Sequence, residues 1–586
     1  MTIRPANSPL QRTVGRTPAG RPSRCARLVA ILAGLPWIAS TMAFGATEPA
    51  REQSRSMAMT PYGIVATSQA AASQAGVAVL AWGGNAIDAA IAANAALGVV
   101  EPMMNGMGGD LFAIVYIAKT RQLYGLNASG WAPAGLSPAA LAAKGIPKMR
   151  PIDLATVPGA VAGWDALSKR WGKLTLAQDL APAIALADTG IGVAETNAEN
   201  WALYGMPHAG DPAFARVFLP GGKPPAAGDL FRNPDLANAL RRVAAQGRDG
   251  FYRGPTAEAI LALERRQDGF MTAEDLAGFQ PEWVTPVSTN YHGWTVYELP
   301  PNGQGIAALS MLNMMETFPI AQWGHNSLQA LHAEIEAKKL AYADLQHFVG
   351  DPHVAPIPTV QLISKALARQ RAAGISDKAA CHVLPSDLRE ALLHQSSDTT
   401  YLSVVDRDGN EVSLIQSNSG GFGGGLVADG TGFALQDRGR GFTLEPGHPN
   451  TLRPRTRPLH TIIPGFMEKG DRHIAFGIMG GFNQAQAHAQ FVSNVVDFGM
   501  NIQAALEAAR FTKLDFEGCG VWLENGVPPE VVAGLRAKGH DVTLSPRYYQ
   551  AMGRGNAVEI RDGQAVHYGA TDPRTDGEAI PEQPPF

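Results

Sequence analysis

Apolar runs of strand length alternate along the chain with longer segments that have helical spacing. Near the start, a strand is predicted at residues 63–66, and a helix is predicted over 69–82 with Ser68 as its cap. Two glycines end this helix, and an alanine-rich helix is predicted over 85–99. So many small residues indicate a helix that packs closely on other elements, and an apolar strand is predicted after it, at 111–117.

The middle of the chain is predicted to be mainly helical. Residues 135–290 are predicted to form helices joined by loops, and strands are predicted within 287–299. A long amphipathic helix is predicted over 328–348. It carries four charged residues near its centre, Glu334, Glu336, Lys338 and Lys339. We expect these charges to form a solvated face or local pairs along the helix.

A polar, turn-rich segment at 376–398 is the clearest boundary in the sequence. Short strands are predicted after it at 400–405, 411–416, 432–435, 461–466 and 474–479, and helices at 484–498 and 502–510. Because strands and long helices occur on both sides of the boundary, we expect an α+β fold of stacked α, β, β and α layers.

Composition agrees with a large folded molecule. The chain has 586 residues, of which 45% are hydrophobic and only 17% are charged, and its 64 glycines allow close approaches of the backbone. The formal net charge is −4, and no cluster of lysine and arginine lies after the first 46 residues. Nothing in this pattern favours a nucleic acid as a partner.

The first 46 residues have the order of a secretory signal peptide. Arginines at positions 12, 16, 21, 24 and 27 precede an apolar run at 28–39, and small residues follow it up to Ala46. A permanent membrane anchor is the alternative, but the run is short and is interrupted by Gly34 and Pro36. We therefore expect cleavage near Gly45 or Ala46, a periplasmic or secreted protein, and no stable membrane anchor.

The chain contains three cysteines. Cys25 would be removed with the signal peptide, which leaves Cys381 and Cys519. These two can form a disulfide in an oxidising compartment, or they can remain as separate thiols. Neither has the spacing of a metal ligand.

The segment around Thr399 predicts a hairpin that carries polar side chains. Alternation starts directly after Thr399, and Asp408–Gly409 is a turn signal. With these two residues as the turn, Thr399 faces Asn418, and a one-residue bulge would place Ser417 there instead. The polar cluster Ser417, Asn418 and Ser419 is therefore expected beside Thr399, although two ordinary strand threonines would show the same local pattern.

Two glycines follow the apolar strand predicted at 474–479. Gly480 and Gly481 precede a predicted helix, where successive backbone amides can point at one anion or developing oxyanion. A tight turn that needs glycine for its backbone angles would have the same sequence.

Considered over its whole length, the chain resembles the γ-glutamyltransferase family of N-terminal nucleophile hydrolases. The matching motifs follow the family's order through nearly all of the chain after the first 46 residues. They are Gly-Gly-Asn-Ala-Ile-Asp-Ala-Ala at 83–90, Val-Glu-Pro at 100–102, Met-Gly-Gly at 107–109, Val-Pro-Gly-Ala-Val-Ala-Gly at 157–163, Tyr-Arg-Gly at 252–254, Pro-Pro-Asn-Gly at 300–303, Asp-Thr-Thr at 398–400, Val-Asp at 405–406, Gly-Asn at 409–410, Arg-Pro at 457–458 and Gly-Gly at 480–481.

The resemblance implies a fold and a mechanism. The fold is a four-layer αββα sandwich built from a large subunit at 47–398 and a small subunit at 399–586. The precursor cuts itself between Asp398 and Thr399, and Thr399 becomes the nucleophile with its own α-amine as general base. Ser417 matches the hydroxyl beside the nucleophile, and Gly480 and Gly481 match the oxyanion hole. No metal or organic cofactor is implied.

The residues that bind a γ-glutamyl group in better-known members are replaced here. Ser129 stands at the arginine that binds the α-carboxylate, and Gly441 stands at the aspartate that binds the α-amine. The other replaced positions are Ser419, Arg438, His460 and Thr461, and the lid stretch at 447–457 is shortened. Arg438 or Arg440 can supply the carboxylate contact from another side, or both can be solvated loop residues.

Three hypotheses for function follow from this pattern. The first is a γ-glutamyltransferase-family enzyme that acts on γ-glutamyl amides such as glutathione. The second is an acylase or amidohydrolase for carboxylate-bearing amides without the α-amine, of glutaryl or oxamate type. The third is an inactive binding protein with the same fold, which the retained Asp398–Thr399–Thr400 and both glycines disfavour. The expected partners are a small-molecule amide and the two subunits of one precursor.

Overall fold

The structure, a computed structural model, describes residues 53–386 and 398–584. The predicted signal peptide and residues 387–397 of the predicted boundary segment lie outside the described residues. Among the described residues, no helix combines the length and the apolar character needed to cross a bilayer.

The described residues form 21 strands. In chain order they are β1 (Ala58–Thr60), β2 (Ile64–Thr67), β3 (Asp110–Ile117), β4 (Gln122–Ala128), β5 (Ile191–Gly192), β6 (Leu230–Phe231), β7 (Glu282–Val284), β8 (Val287–Tyr291), β9 (Trp294–Glu298), β10 (Asp398–Val405), β11 (Glu411–Ser419), β12 (Leu426–Val427), β13 (Ala434–Leu435), β14 (Gly465–Lys469), β15 (Arg472–Met479), β16 (Phe511–Thr512), β17 (Gly520–Glu524), β18 (Asp541–Ser545), β19 (Arg554–Ile560), β20 (His567–Thr571) and β21 (Glu578–Pro581).

The same part of the chain forms 19 α-helices. They are α1 (Ala70–Ala81), α2 (Ala86–Val100), α3 (Pro138–Ala143), α4 (Ala160–Trp171), α5 (Leu176–Thr189), α6 (Glu195–Gly205), α7 (Pro212–Phe218), α8 (Pro234–Gln246), α9 (Asp249–Tyr252), α10 (Gly254–Arg266), α11 (Ala273–Gly278), α12 (Gly305–Met315), α13 (Ile320–Trp323), α14 (Leu328–Phe348), α15 (Thr359–Leu362), α16 (Lys365–Ala372), α17 (Gln484–Val496), α18 (Ile502–Glu507) and α19 (Pro529–Lys538).

Two seven-stranded sheets form the centre of the molecule. The first has the order β1-β20-β19-β15-β14-β9-β8, and the second has the order β21-β2-β10-β11-β3-β4-β7. Alternate residues of the two sheets meet in one apolar cluster that includes Phe112, Tyr401, Phe466 and Val558. The sheets therefore pack face to face.

Helices cover the outer face of each sheet. The second sheet turns residues such as Leu402 and Leu414 towards α1, α2, α4 and α5, and all of these elements share one apolar cluster. The first sheet turns residues such as Phe476 and Ile478 towards α12, α14 and α17 in another cluster. The predicted α+β fold with four layers, αββα, is confirmed.

Two expectations from the sequence need correction. Ser68 does not cap α1, because the cap position is Gln69 and the Ser68 hydroxyl donates to Glu101 instead, at 2.6 Å. The four charges in α14 do not form a solvated face, since all four residues are buried. The helix lies between the first sheet and the C-terminal elements. The other expected arrangement, a local pair along the helix, is observed between Lys339 and Glu336 at 2.6 Å.

Candidate active site

The hairpin of β10 and β11 brings Thr399 opposite the predicted polar cluster. From Thr400 onward the strands pair in regular register, with Thr400 opposite Gln416, but Asp398 pairs with Ser419. One residue of β10, Thr399, therefore faces two residues of β11, Ser417 and Asn418, in a bulge. The turn is longer than the predicted two residues, because the Asp406 amide bonds to the Asn410 carbonyl, and this shifts the register by one.

Thr399 lies fully buried at the start of this strand. Its hydroxyl accepts a hydrogen bond from Nε2 of Gln484, at 3.2 Å. The other end of the Gln484 amide is fixed, because its Oε1 accepts from the Ile463 backbone at 3.0 Å. Gln484 opens α17 directly after the Gly480–Gly481 segment, and sequence reasoning did not single it out.

The neighbouring Thr400 is held by a buried carboxylate that sequence reasoning also missed. Glu101 Oε2 accepts from the hydroxyls of Thr400 and Ser68, both at 2.6 Å. Burial raises the pKa of Glu101, and the guanidinium of Arg554, 3.5 Å away, opposes that rise. The signal was available, since Glu101 belongs to the Val-Glu-Pro motif, but the motif gives no indication of its contacts.

Arg438 reaches into the same site from the loop after β13. Its Nη2 donates to Ser417 Oγ at 2.8 Å and its Nη1 to Thr461 Oγ1 at 2.7 Å. The residue is only 2% exposed, so it is not a solvated loop arginine. Burial lowers the pKa of Arg438 to about 10, which leaves it protonated at neutral pH. The neighbouring Arg440 is half-exposed and pairs with Asp437.

His460 lies in the site, but both of its ring nitrogens already take part in hydrogen bonds. Its Nε2 contacts Asp110 Oδ2 at 2.9 Å, and its Nδ1 accepts from the Ile462 amide at 3.3 Å. Burial lowers the pKa of His460 to about 4, and the nearby Arg438 adds to the effect, so the imidazole is neutral. Asp110 also accepts from Gln436 at 2.7 Å, and it follows the Met-Gly-Gly motif directly.

The two predicted oxyanion glycines form the junction between β15 and α17. Gly480 has φ 131° and Gly481 has φ 60°, values that favour glycine. The Gly481 carbonyl accepts from Gln304 Nε2 at 2.8 Å, and the next carbonyl, of Phe482, accepts from the Tyr342 hydroxyl. These two side chains fix the backbone of the segment. The geometry agrees with a tight turn and equally with an anion-binding segment.

The remaining replaced positions surround this site. Ser129 is fully buried, and its hydroxyl donates to Asn127 at 2.7 Å. Ser419 has φ 79°, and its buried Oγ has no partner among the described residues. At Gly441, an added Cβ would lie 2.7 Å from the Leu459 carbonyl oxygen, so an aspartate could not be restored here without a backbone shift.

One group of side chains in the described ranges has the composition of a metal site. His332, Glu336 and His540 bring ligand atoms within 4.8 Å of one another. The two imidazoles are hydrogen-bonded to each other at 2.8 Å, and Lys339 Nζ donates to Glu336 at 2.6 Å. An ammonium group therefore already occupies the place beside the carboxylate that a cation would take.

Comparison with known proteins identifies the family. The family model for gamma-glutamyltranspeptidase matches residues 72–582. The chain belongs to the gamma-glutamyltranspeptidase family. A glutathione hydrolase-like YwrD proenzyme of Bacillus subtilis is 36% identical over 516 residues, covering 87% of this chain and 96% of the relative. An oxamate amidohydrolase proenzyme of Klebsiella pneumoniae is 32% identical over 533 residues, covering 89% and 98%.

A solved structure has the same fold as this chain. The cephalosporin acylase from Bacillus halodurans superposes with a TM-score of 0.84 at 40% identity, covering 92% of this chain and 99% of that one. The predicted family is thereby confirmed, and the chain is an enzyme of the gamma-glutamyltranspeptidase family rather than of an unrelated class. The relatives carry the names of both a glutathione hydrolase and acylases, which matches the first two hypotheses from the sequence.

Proposed function

We propose that this chain is an exported, self-cleaving amide hydrolase or acyltransferase in which Thr399 carries the acyl group. In the precursor, the Thr399 hydroxyl attacks the carbonyl carbon of Asp398, and the Asp398–Thr399 C–N bond breaks. The Thr399 nitrogen takes up the hydroxyl proton and becomes the free α-amine, and hydrolysis of the resulting ester separates residues 47–398 from 399–586. The backbone pairing of Asp398 with Ser419 supports this step, because it holds the scissile peptide at the end of a fixed strand. The hydrogen bond from Gln484 orients the attacking oxygen.

After cleavage, the freed α-amine of Thr399 takes the proton from its hydroxyl as the oxygen attacks an amide substrate. The amides at Gly480 and Gly481 stabilise the oxyanion, as the strand-to-helix junction there suggests. The α-ammonium gives this proton to the leaving amine, the acyl group stays on Thr399, and water or an acceptor amine then removes it. Ser417 supports the nucleophile from the opposite strand.

The substrate class follows from Arg438, which is the observation that carries this proposal. The buried guanidinium of Arg438 donates to the hydroxyl of Ser417, which lies opposite Thr399 in the hairpin. The Nε atom of Arg438 has no partner among the described residues. Its electrostatic neighbours, Asp110 and Asp437, are engaged by His460 and Arg440. A carboxylate on the acyl group would complete the guanidinium's pairing. We therefore favour amides whose acyl part bears a carboxylate, of glutaryl or oxamate type.

Conventional γ-glutamyl amides such as glutathione are the second candidate. Two buried acceptors beside Thr399, Asn418 Oδ1 and Ser419 Oγ, have no partner among the described residues. They can accept from an α-ammonium, although neither carries the negative charge that a buried ammonium pairs with best.

Export supports the same proposal. The basic, apolar and small-residue order of residues 1–46 predicts removal of a signal peptide, and Cys381 is disulfide-bonded to Cys519. Disulfides persist in oxidising compartments, which agrees with a periplasmic or secreted location. N-terminal sequencing of the purified large subunit checks this; a chain beginning at Met1 would contradict it.

Self-cleavage is tested with Thr399 variants in a purified system. Thr399→Ala should give one uncut, inactive chain under reducing electrophoresis, because the attacking oxygen is absent. Thr399→Ser should still be cut, since it keeps the hydroxyl. Cleavage of purified Thr399→Ala at this bond would show that another agent cuts the chain.

The substrate class is tested with glutaryl-p-nitroanilide and γ-glutamyl-p-nitroanilide. Wild type should turn over both donors with similar kcat/KM, and Arg438→Ala should lower both about 100-fold, the cost expected for removing one partner of a buried ion pair. If Arg438→Ala is not processed, Arg438→Lys replaces it, because lysine keeps the positive charge. Arg440→Ala is the matched control. A wild-type preference of a hundredfold for the glutamyl donor would favour the second candidate.

A further inference from the structure

A disulfide crosses the position of the proposed cut. Cys381 and Cys519 are bonded, with Cα atoms 4.5 Å apart and a separation of 138 positions in sequence. Cys381 precedes Asp398, so it would belong to the large subunit, whereas Cys519 follows Thr399 and would belong to the small subunit. Cys381 and Cys519 therefore form a disulfide rather than two separate thiols. This disulfide joins the two products of the proposed self-cleavage.

The segment that carries Cys381 makes further contacts with residues of both proposed subunits. We call residues 376–386 the anchored tail, because they are the last described residues before the cut. On the large-subunit side, α14 binds this segment: His332 contacts the Ser376 carbonyl at 2.8 Å and Lys339 donates to the Ala380 carbonyl at 2.9 Å. Asp344 accepts from the Ser386 hydroxyl at 2.9 Å.

On the small-subunit side, the anchored tail bonds to α19 and to the loop before β17. The Ala379 amide donates to the Lys538 carbonyl at 2.8 Å, and the Gly518 amide donates to the Cys381 carbonyl at 2.8 Å. His382 contacts Glu517 at 3.0 Å. Backbone hydrogen bonds on either side of the disulfide therefore hold the two cysteines next to each other.

The anchored tail also forms one wall of a cavity near the predicted oxyanion segment. The cavity has a volume of about 400 Å³, and its lining includes residues 382–385 of the tail, α14 and Phe516. Phe516 packs edge-on against Phe482 at 4.8 Å between ring centroids, and Phe482 directly follows Gly481. Retention of the tail after cleavage therefore decides the shape of this part of the molecule.

We propose that Cys381–Cys519 is an inter-subunit disulfide that makes the mature enzyme a covalently joined heterodimer and keeps the anchored tail in place after cleavage. This inference rests on the proposed self-cleavage. The bond forms when the two thiols give up two protons and two electrons to an oxidising protein disulfide, which is reduced to a dithiol by thiol–disulfide exchange. Formation does not require the chain to be cut first, since both cysteines are already paired in the continuous chain.

Electrophoresis of the purified mature enzyme tests the proposal. The protein is first alkylated with N-ethylmaleimide and then denatured with and without dithiothreitol. We expect one band of the summed size without reductant and two bands with it. Two bands without reductant would overturn the inter-subunit link while leaving self-cleavage intact. One band in both lanes would overturn self-cleavage, and the inter-subunit link with it.

Peptide mapping separates these outcomes further. Tryptic digestion without reductant should yield peptide 379–389 linked to peptide 514–536, whether or not the chain is cut. Recovery of both peptides only in alkylated form would show that the thiols are free and would overturn the proposal.

A double variant, Cys381→Ser with Cys519→Ser, should be cut normally but should give two bands without reductant. Its unfolding midpoint in urea should rise with protein concentration, because separate chains reassociate bimolecularly, whereas that of the oxidised wild type should stay constant. Cys25→Ser is the matched control, since this cysteine is predicted to leave with the signal peptide. If the double variant does not fold, the reduced wild type replaces it, and a concentration-independent midpoint in the reduced enzyme would contradict the proposal.

Discussion

The amide of Gln484 connects the predicted nucleophile to the rest of the site. Its Nε2 donates to Thr399 Oγ1 while its Oε1 is held by the Ile463 backbone, so the donor can approach the hydroxyl from one direction only. We predict that Gln484→Ala slows self-cleavage and lowers kcat/KM about fivefold, the kinetic equivalent of losing one hydrogen bond worth about 1 kcal/mol. Steady-state kinetics on the processed fraction measures the effect.

Gln490→Ala is the matched control for this prediction. Gln490 lies on the same helix and is also buried, but its side chain contacts the Gln486 carbonyl and the Phe511 backbone rather than Thr399. Unchanged cleavage and kinetics in Gln484→Ala, or equal losses in both variants, would show that the Gln484 contact has no specific part in the reaction.

The side chains that sequence analysis named were those at family motif positions. Arg438 joins Ser417 and Thr461 through its two hydrogen bonds, and the strand register places Thr399 opposite Ser417. Gln484, Asp110 and Glu101 were missed because their importance comes from partners that are distant in sequence: Gln484 is 85 residues from Thr399, and Glu101 is 299 residues from Thr400. No local pattern encodes such a contact.

The contact between β10 and β15 sets how closely the two sheets approach. A Cβ added at Gly477 would lie 2.4 Å from the Tyr401 ring, a distance that real Cβ atoms do not adopt. We predict that Gly477→Ala displaces β10, lowers the free energy of unfolding by about 1–3 kcal/mol and slows self-cleavage at the end of the same strand. Thermal unfolding and the fraction of cut chain report the two effects.

Gly520→Ala in β17 provides the comparison, because an added Cβ there meets no atom within 4 Å. A second variant, Gly477→Ala with Tyr401→Leu, should recover part of the loss by making room between the sheets. If Gly477→Ala unfolds and cleaves like wild type, the sheets are able to separate locally and the strand position does not govern the cut.

The sequence predicted the bounds of helices and strands best where those bounds depend on neighbouring residues alone. The bounds of α2, α14 and β15 agree with prediction to within two residues. The register of the β10–β11 hairpin was not predictable to one residue, because it depends on how many residues the turn uses. The burial of the α14 charges was also not predictable, since the amphipathic pattern does not show that a second layer covers the polar face.

The molecule as a whole carries buried carboxyl groups that oppose alkaline stability. Asp179 is the clearest, because it is fully buried and neither oxygen has a partner among the described residues. Burial raises the pKa of Asp179 to about 8, and Asp88 adds to the rise. Between its ordinary value near 4 and 8, the folded state binds more protons at this site than the unfolded state, so stability falls as the pH rises through this window.

We therefore predict that Asp179→Asn is more stable than wild type at pH 8 and that the advantage shrinks towards pH 5. The difference should change by up to about 1.4 kcal/mol per pH unit in this window. Thermal midpoints across the window measure it, with Asp188→Asn on the same helix as the control, since Asp188 pairs with Arg241 at the surface. A constant difference between pH 5 and pH 8 would mean that Asp179 is ionised in the folded protein.

The two central sheets bring together the beginning and the end of the chain. In the first sheet β1 pairs with β20, and in the second β2 pairs with β21. A ribosome or an export channel delivers β1 and β2 early, and their partners arrive roughly 500 residues later, at ordinary synthesis rates some tens of seconds afterwards. The early strands must wait with open edges for most of that time, so the finished sandwich forms only when nearly the whole chain has been delivered. The proposed cut has its own delay, because Gln484, which holds the Thr399 hydroxyl, is delivered 85 residues after it.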